Sequence, residues 1–81
     1  MTREEIFATL SQYLQEMFEL PAERITPDAK LFEELDLDSI DAVDLVVRLQ
    51  DLTGKRIKPD QFKTVRTVSD VVDRVHDLFN E

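Results

Sequence analysis

A single glycine, Gly54, in 81 residues is the feature that most restricts how this chain can fold. Tight hairpin turns depend on glycine and a few related residues, so a chain with one glycine and three prolines has few places to make them. The sequence also lacks the alternation of apolar and polar residues that marks a half-buried strand. We therefore predict an all-α fold, and the length allows one small domain, residues 1–81.

The first predicted helix covers about Arg3–Glu19. Thr2 and Glu5 form a capping box ahead of it, in which each side chain satisfies a backbone N–H of the opening turn. Apolar residues at spacings of three and four give it one apolar face, and Pro21 ends it. A long connection, residues 21–38, contains apolar residues that indicate packing against the core. These are Ile25, Leu31, Phe32, Leu35 and Leu37.

The second predicted helix covers about Ser39–Leu52. Asp38 suits its N-cap, and Asp41 at the third position completes a carboxylate version of the capping box. Gly54 suits its C-terminal stop. Ser39 then lies in the first turn, where its hydroxyl points outward and another protein can reach it.

Two further helices complete the predicted fold. A short third helix follows Pro59, a residue that suits a first helical position. The last helix starts at Thr67, with Asp70 three residues on. Its apolar face comprises Val68, Val71, Val72, Val75, Leu78 and Phe79. We predict a small four-helix bundle with three long helices, one short helix and a long first loop.

Acidic residues concentrate around Ser39. Residues 31–51 contain seven acids and only one base, Arg48, in a chain whose formal net charge is −8. Such a field repels nucleic acid and anionic lipid and attracts basic proteins, so we predict no nucleic-acid partner. Charge alone favours an acidic surface that only aids solubility, but its concentration around one serine favours a site for basic partners.

The residues that are missing also limit the chemistry. Without cysteine, the chain has no disulfide or thiolate metal site, and a thioester would need a sulfur supplied by an attached group.

Apolar runs are too short to cross a membrane, and charged residues stand where a signal peptide would be apolar, so we expect a cytoplasmic protein without membrane insertion. The only histidine, His76, is predicted on the surface or rim of the last helix. Ser39 therefore has no neighbouring base, and we predict that the chain is not an enzyme.

The run from Leu35 to Leu45 resembles the Asp-Ser-Leu/Ile-Asp signature of acyl carrier proteins. The order of helices, Lys58-Pro59-Asp60 before the third helix and Thr67-Val68 at the fourth are also similar to a discrete acyl carrier protein. The resemblance covers nearly the whole chain and implies a bundle of acyl-carrier type. It implies that Ser39, preceded by Asp38, carries 4′-phosphopantetheine. The arm would hold acyl intermediates as thioesters for fatty-acid or polyketide-type enzymes.

The resemblance implies partners as well. A phosphopantetheinyl transferase would modify the serine. Ketosynthase, reductase, dehydratase or acyltransferase enzymes would then dock a monomeric carrier through basic patches. Carried over by position, the acidic contacts are Asp38, Asp41, Asp44 and Asp51, and the apolar contacts are Ile40, Val43 and Val47. The last three lie on one helix face at i, i+3 and i+7, although core packing of Val43 and Val47 is an equal alternative.

Two residues depart from the family pattern. Asp36 occupies a position where the family commonly has glycine, a residue that permits positive φ without steric cost. Because of this departure, the sequence leaves open which transferase accepts the chain. Arg48 interrupts the acidic helix and is a candidate determinant of partner choice. The variant signature is similar to discrete carriers of specialised bacterial pathways, such as those making aryl polyenes or unusual lipids.

Three alternative functions compete with the acyl carrier, and the residues exclude the first. A calcium-binding loop would start at Asp36 and Asp38, but Ile40, Asp41 and Val47 occupy positions that need a ligand, a glycine and a glutamate, so we predict no metal site. An unmodified acidic helical interaction module shares every feature except the need for the serine. A peptidyl or D-alanyl carrier shares the arm and differs only in cargo.

Overall fold

Three capping boxes start the three α-helices found in the part of the chain that the structure describes. A computed structural model describes residues 1–58, 62 and 64–80. Within them, α1 is Arg3–Phe18, α2 is Ser39–Thr53, and α3, which is the fourth helix of the sequence prediction, is Val68–Phe79. The predicted short helix after Pro59 falls mainly on residues outside the described part of the chain. The all-α fold is confirmed, with one unpredicted 3-10 turn at Ala22–Arg24.

The local sequence accounts for where each helix starts and ends. In each box the N-cap side chain accepts a bond from the third helical amide, and the third side chain accepts one from the N-cap amide. The three pairs are Thr2 with Glu5, Asp38 with Asp41, and Thr67 with Asp70. The C-cap of α1 is Glu19, in a left-handed conformation, and the C-cap of α2 is Gly54, whose φ is 68°. The predicted capping boxes and the glycine stop are confirmed.

The buried side chains form one hydrophobic cluster to which every helix contributes. α1 packs against α3, and α2 packs against α3, so α3 is central. Among the described residues, no polar or charged side chain is buried. The helical part of the core consists of Ile6, Leu10, Leu14, Leu45, Val46, Leu49, Val68, Val71, Val72, Val75 and Leu78. Tyr13, Met17 and Phe79, predicted on the apolar faces, are only half-buried at its edge.

The long first connection is attached to the start of α3 by backbone hydrogen bonds. The Leu31 amide donates to the Arg66 carbonyl at 2.8 Å, and the Val68 amide donates to the Ala29 carbonyl at 3.0 Å. Apolar side chains of the connection are buried beneath it, so its predicted packing against the core is confirmed. Phe32 is the exception: we expected it to pack inward, but it is 45% exposed. Neighbouring Leu31 is only 4% exposed, so at this turn it is Leu31, and not Phe32, that fills the core.

Asp36 has a left-handed backbone, with φ of 57°. Leu35 and Leu37 on either side are both buried, so the backbone between them is held on two sides. The Leu37 amide also donates to the Leu31 carbonyl at 3.1 Å. This conformation is the one that favours glycine, and an aspartate tolerates it at some steric cost. The turn directs the chain into Asp38 and the start of α2.

Candidate functional site

Ser39 is the first residue of α2, and its side chain is exposed. The cap around it is closed by two hydrogen bonds. The Asp41 amide donates to Asp38 Oδ1 at 2.8 Å, and the Asp38 amide donates to Asp41 Oδ2 at 3.2 Å. The backbone that carries the serine is therefore fixed, while its hydroxyl faces solvent.

The other two serines of the chain are less accessible. Ser11 lies within α1 and Ser69 lies in the first turn of α3, and both are half-buried. The Ser69 amide is also bonded to the Pro27 carbonyl, at 2.9 Å. Ser39 is thus the serine that a modifying protein reaches most readily. His76, half-buried on α3 as predicted for a rim residue, contacts the Asn80 side chain through Nδ1 at 3.2 Å.

The apolar residues assigned to docking lie on the surface of α2. Ile40 is 71% exposed, Val43 46% and Val47 52%. Leu45, Val46 and Leu49 face the core instead, in agreement with the predicted division of the helix into two faces. The alternative that Val43 and Val47 are core residues is wrong. Their contact with partner proteins stays a prediction.

The acidic residues of α2 divide into two groups. Asp38 and Asp41 hold the cap, so their carboxylates already accept hydrogen bonds within the chain. Asp44 and Asp51 are exposed further along the helix. Both groups add to a negative surface next to Ser39, which attracts basic proteins.

Arg48 does not extend freely over that acidic surface. Its guanidinium lies 4.9 Å from the centre of the Tyr13 ring on α1, a cation–π distance. It also approaches Glu16 Oε2 at 3.9 Å. The one base of the acidic segment is thus directed toward α1, where Glu16 offsets part of its charge, and the outer face of α2 stays acidic.

A narrow apolar groove opens beside the start of α2. Its volume is about 20 Å³, and Leu37 and Ala42, close to Ser39 in sequence, lie at one side of it. The remaining lining residues are Leu31, Phe32, Leu45, Phe62, Val65 and Val71. This groove could not be predicted from the sequence, because its walls come from three separate segments whose arrangement no local pattern encodes. The only signal was the number of apolar residues in the first connection.

A second, more polar hollow adjoins the groove at Phe32, which lines both. It has a volume of about 120 Å³ and is otherwise lined by Lys30, Glu33 and Arg66.

Two carboxyl groups in the helix caps have a lowered pKa. The pKa of Asp70 is lowered chiefly by the hydrogen bond from the Arg66 amide, and to a smaller extent by that from the Thr67 amide. The pKa of Glu5, in the α1 cap, is lowered by its hydrogen bond with the Thr2 backbone.

Residues 1–58, 62 and 64–80 contain neither a membrane-spanning helix nor a candidate metal site. No helix in this part of the chain is long and apolar enough to cross a membrane. The same residues contain no group of three or more histidine, cysteine or acidic side chains placed to hold a metal ion. The Asp36 and Asp38 pair therefore gains no third acidic ligand from the fold.

Comparison with known proteins gives concordant matches over nearly the whole chain. Residues 8–75 match the family described as "Phosphopantetheine attachment site". The chain is 56% identical over 78 residues to acyl carrier protein 2 of Ralstonia nicotianae, covering 96% of each chain. It is 42% identical to an acyl carrier protein of Saccharopolyspora erythraea, covering 96% of this chain and 82% of that one. The crystal structure of an acyl carrier protein from Thermotoga maritima superposes with a TM-score of 0.82 at 28% identity, covering 96% of this chain and 91% of that one.

Proposed function

Because this chain belongs to the acyl carrier protein family, whose members tether acyl intermediates on 4′-phosphopantetheine, we propose that Ser39 carries that group. Family membership confirms the resemblance drawn from the sequence, the function as an acyl carrier and the cofactor. The observation that carries the assignment to Ser39 is its position. It is the exposed first residue of a capped helix, whereas Ser11 and Ser69 are half-buried.

The proposed modification is a phosphoryl transfer to the serine hydroxyl. Ser39 Oγ forms a bond to the phosphorus that bears the pantetheine in coenzyme A. The pyrophosphate P–O bond breaks, adenosine 3′,5′-bisphosphate leaves, and the hydroxyl proton passes to a base of the transferase. The exposed N-terminal turn of α2 accommodates the resulting phosphodiester, since helix N-termini favour anionic groups. Once attached, the arm supplies a terminal thiol that holds the acyl group as a thioester.

The carrier itself is proposed to be non-enzymatic. A serine nucleophile requires an adjacent base held in place by a third group. His76, on α3, is engaged with Asn80. We assign the chemistry on the cargo to partner enzymes and propose that they work with the carrier in the cytoplasm.

The family implies a transferase and enzymes of fatty-acid or polyketide synthesis as partners. Beyond that, we propose that ketosynthase, reductase, dehydratase or acyltransferase enzymes dock on the outer face of α2 through basic patches. The support is the combination of exposed apolar side chains and exposed carboxylates on one helix. The docking residues are Asp38, Ile40, Asp41, Val43, Asp44, Val47 and Asp51.

The pathway is a separate proposal. Relatives of this chain include the meromycolate extension acyl carrier protein of Mycobacterium leprae, 32% identical over 81 residues. We propose an acyl cargo destined for a specialised lipid or an aryl polyene, of which this relative supports the specialised lipid. A peptidyl or D-alanyl cargo would require a different loading enzyme, and no feature of the structure favours it.

Intact-protein mass spectrometry after incubation with coenzyme A and a broad-specificity transferase tests the attachment site. We expect one added phosphopantetheine on the wild type and on the control variants Ser11→Ala and Ser69→Ala. Ser39→Ala should gain none, while its circular dichroism stays that of the wild type. A gain on Ser39→Ala would contradict the assignment by placing the attachment at another residue. No gain on the wild type with several transferases would favour the unmodified interaction module.

A further inference from the structure

A cleft lies between α1 and the start of α3, and we call it the α1–α3 cleft. Its volume is about 310 Å³, well above the 20 and 120 Å³ of the groove and the hollow described above. Its apolar lining comprises Phe7 on α1, which is half-buried, Val72 on α3, which is 6% exposed, and Pro27 of the first connection. Among the described residues, none of α2 lines it. The cleft is therefore separate from the outer face of α2.

Contacts within the chain hold the walls of the cleft in place. The Ser69 amide of α3 donates to the Pro27 carbonyl at 2.9 Å, which joins the first connection to α3. Arg3 Nε donates to Asp73 Oδ1 at 3.0 Å, which joins α1 to α3. All four residues line the cleft. Because the walls are already in position, a group that enters the cleft avoids much of the ordering cost of binding.

The cleft has room for one large apolar side chain. A cavity of about 150 Å³ is enough to hold benzene, and the α1–α3 cleft is about twice that size. An aromatic ring that enters it buries apolar surface against Phe7 and Val72, and a ring–ring contact with Phe7 adds to that gain.

The rim of the cleft is acidic. Its charged residues are Arg3, Glu4 and Asp73, and at Asp73 it meets a second hollow, of about 150 Å³, whose other charged residues are Asp70, Arg74 and Asp77. These four acids and two bases leave an excess of two negative charges. The side chains of Arg3 and Asp73 are both more than half exposed, so a base from another protein can replace Arg3 at little cost. The rim is therefore complementary to a positively charged partner.

We propose that the α1–α3 cleft is a second docking site, which takes one large apolar side chain from a basic segment of a partner protein. The apolar side chain contacts Phe7 and Val72, and the basic residues beside it face Glu4 and Asp73. The site is additional to the outer face of α2 and does not depend on modification of Ser39. A partner bound at the cleft contacts α1 and α3, so it holds the carrier without using a docking residue of α2.

A second copy of this chain is the alternative occupant. Phe32 is 45% exposed and lines a hollow with Lys30 and Arg66, which is the combination of an apolar side chain and bases that the cleft accepts. The exposed apolar residues of α2 are unsuitable, because aspartates lie between them. The formal net charge of −8 on each copy opposes their association, and so we assign the cleft to another protein.

Two synthetic peptides of equal charge test the site on the full-length carrier. The first, acetyl-Lys-Lys-Phe-Lys-Lys-amide, carries an aromatic anchor, and in the second alanine replaces phenylalanine. Each peptide is titrated into ¹⁵N-labelled protein, and dissociation constants are read from the amide resonances of Phe7, Ser69 and Val72. The phenylalanine peptide should bind there about tenfold more tightly, since burial of its ring adds to an electrostatic attraction that both peptides share. On α2 the two peptides should differ less.

Two serine-to-leucine variants show whether the cleft is the site. Ser69→Leu places a larger side chain in the cleft and should remove the difference between the peptides. Ser11→Leu makes the same change at a half-buried position of α1 that does not line the cleft, and it should leave the difference unchanged. Circular dichroism verifies that both variants keep the wild-type fold.

A milder pair of variants tests the acidic rim. Asp73→Asn removes a charge from the cleft and should weaken binding of both peptides there by roughly threefold, the size of a surface charge interaction. Glu23→Gln removes an exposed acid that does not line the cleft, and it should have a smaller effect.

Several results would overturn the proposal. Equal affinities of the two peptides, or a difference between them that is largest on α2, would show that the cleft accepts no apolar anchor. A difference that survives in Ser69→Leu, that is lost equally in Ser11→Leu, or an equal weakening by Asp73→Asn and Glu23→Gln, would deny the cleft a special role. Resonances of Phe7 and Val72 that shift when the carrier alone is diluted would assign the cleft to a second copy. None of these results bears on the proposed attachment at Ser39.

Discussion

Asp38 and Asp41 bond to each other's backbone amides across the turn that contains Ser39, at 2.8 and 3.2 Å. Two carboxylates that look from the sequence like docking charges are therefore also structural. They stabilise the start of the helix on which attachment of the cofactor is proposed, and both carboxylates belong to the acidic surface of α2. The roles of cap and charge can be separated by substitution.

Asp38→Asn should separate them most cleanly. Asparagine caps a helix about as well as aspartate, so the free energy of unfolding should change by only a few tenths of a kcal/mol. Asp38→Ala removes the cap and should cost about 1 kcal/mol. Both lose the charge, so both should raise the KM for a transferase. Urea denaturation and modification kinetics measure the two effects, and an unchanged KM in Asp38→Asn would show that the aspartate acts only as a cap.

Asp36→Gly should stabilise the protein, by roughly 0.5 kcal/mol. The substitution relieves a left-handed conformation at φ of 57° and removes one charge from an acidic cluster, which outweighs the greater flexibility of glycine in the unfolded chain. Glu34→Gly is the matched control, since it also removes one acid but lies outside the left-handed region. It should destabilise by about 0.5–1 kcal/mol. A change of the same sign in both variants would contradict a strained backbone at Asp36.

The helices could be predicted from the sequence because their signals are local. Each capping box involves residues three apart, and the faces of α2 and α3 follow from helical spacing. Phe32 shows where this reasoning fails: it is as apolar as Leu31, but only the packing of the first connection on α3 determines which of the two is buried. Arg48 fails in the same way, because its partners Tyr13 and Glu16 lie on another helix. The groove and the hollow, which join distant segments, could not be predicted at all.

The free energy of unfolding should fall on acidification partly through Asp70. Folding lowers the pKa of this carboxyl, chiefly because it accepts a bond from the Arg66 amide. Its stabilisation is therefore complete above its unfolded pKa and is lost as pH falls through the lower folded value, from about pH 4 downward. Protonation of the repelling acids around α2 acts in the opposite sense. Urea denaturation from pH 2.5 to 7, compared between wild type and Asp70→Asn, isolates the contribution, and parallel curves would exclude it.

Added salt should make α2 more stable. Its exposed face contains Asp44 and Asp51, while its only base is directed toward α1. Mobile ions screen the repulsion among exposed charges, and divalent cations do so more strongly. Amide hydrogen exchange of residues 39–52 should slow in sodium chloride and in magnesium chloride, with smaller changes in the buried face of α3. Exchange that is indifferent to both salts would mean that repulsion does not limit this helix.

Val46 and Val47 are adjacent on α2 but face opposite environments, 4% and 52% exposed, and so they provide a matched pair. Val46→Ala removes two buried methyl groups and should cost roughly 2 kcal/mol of unfolding free energy. Val47→Ala should change stability by about 0.5 kcal/mol or less, since its side chain is mostly solvated. If the outer face of α2 docks partner enzymes, only Val47→Ala should weaken ketosynthase turnover while the fold stays intact. Normal turnover with a fully stable Val47→Ala carrier would place the apolar docking contact elsewhere on the helix, with Ile40, the more exposed residue, the next to substitute.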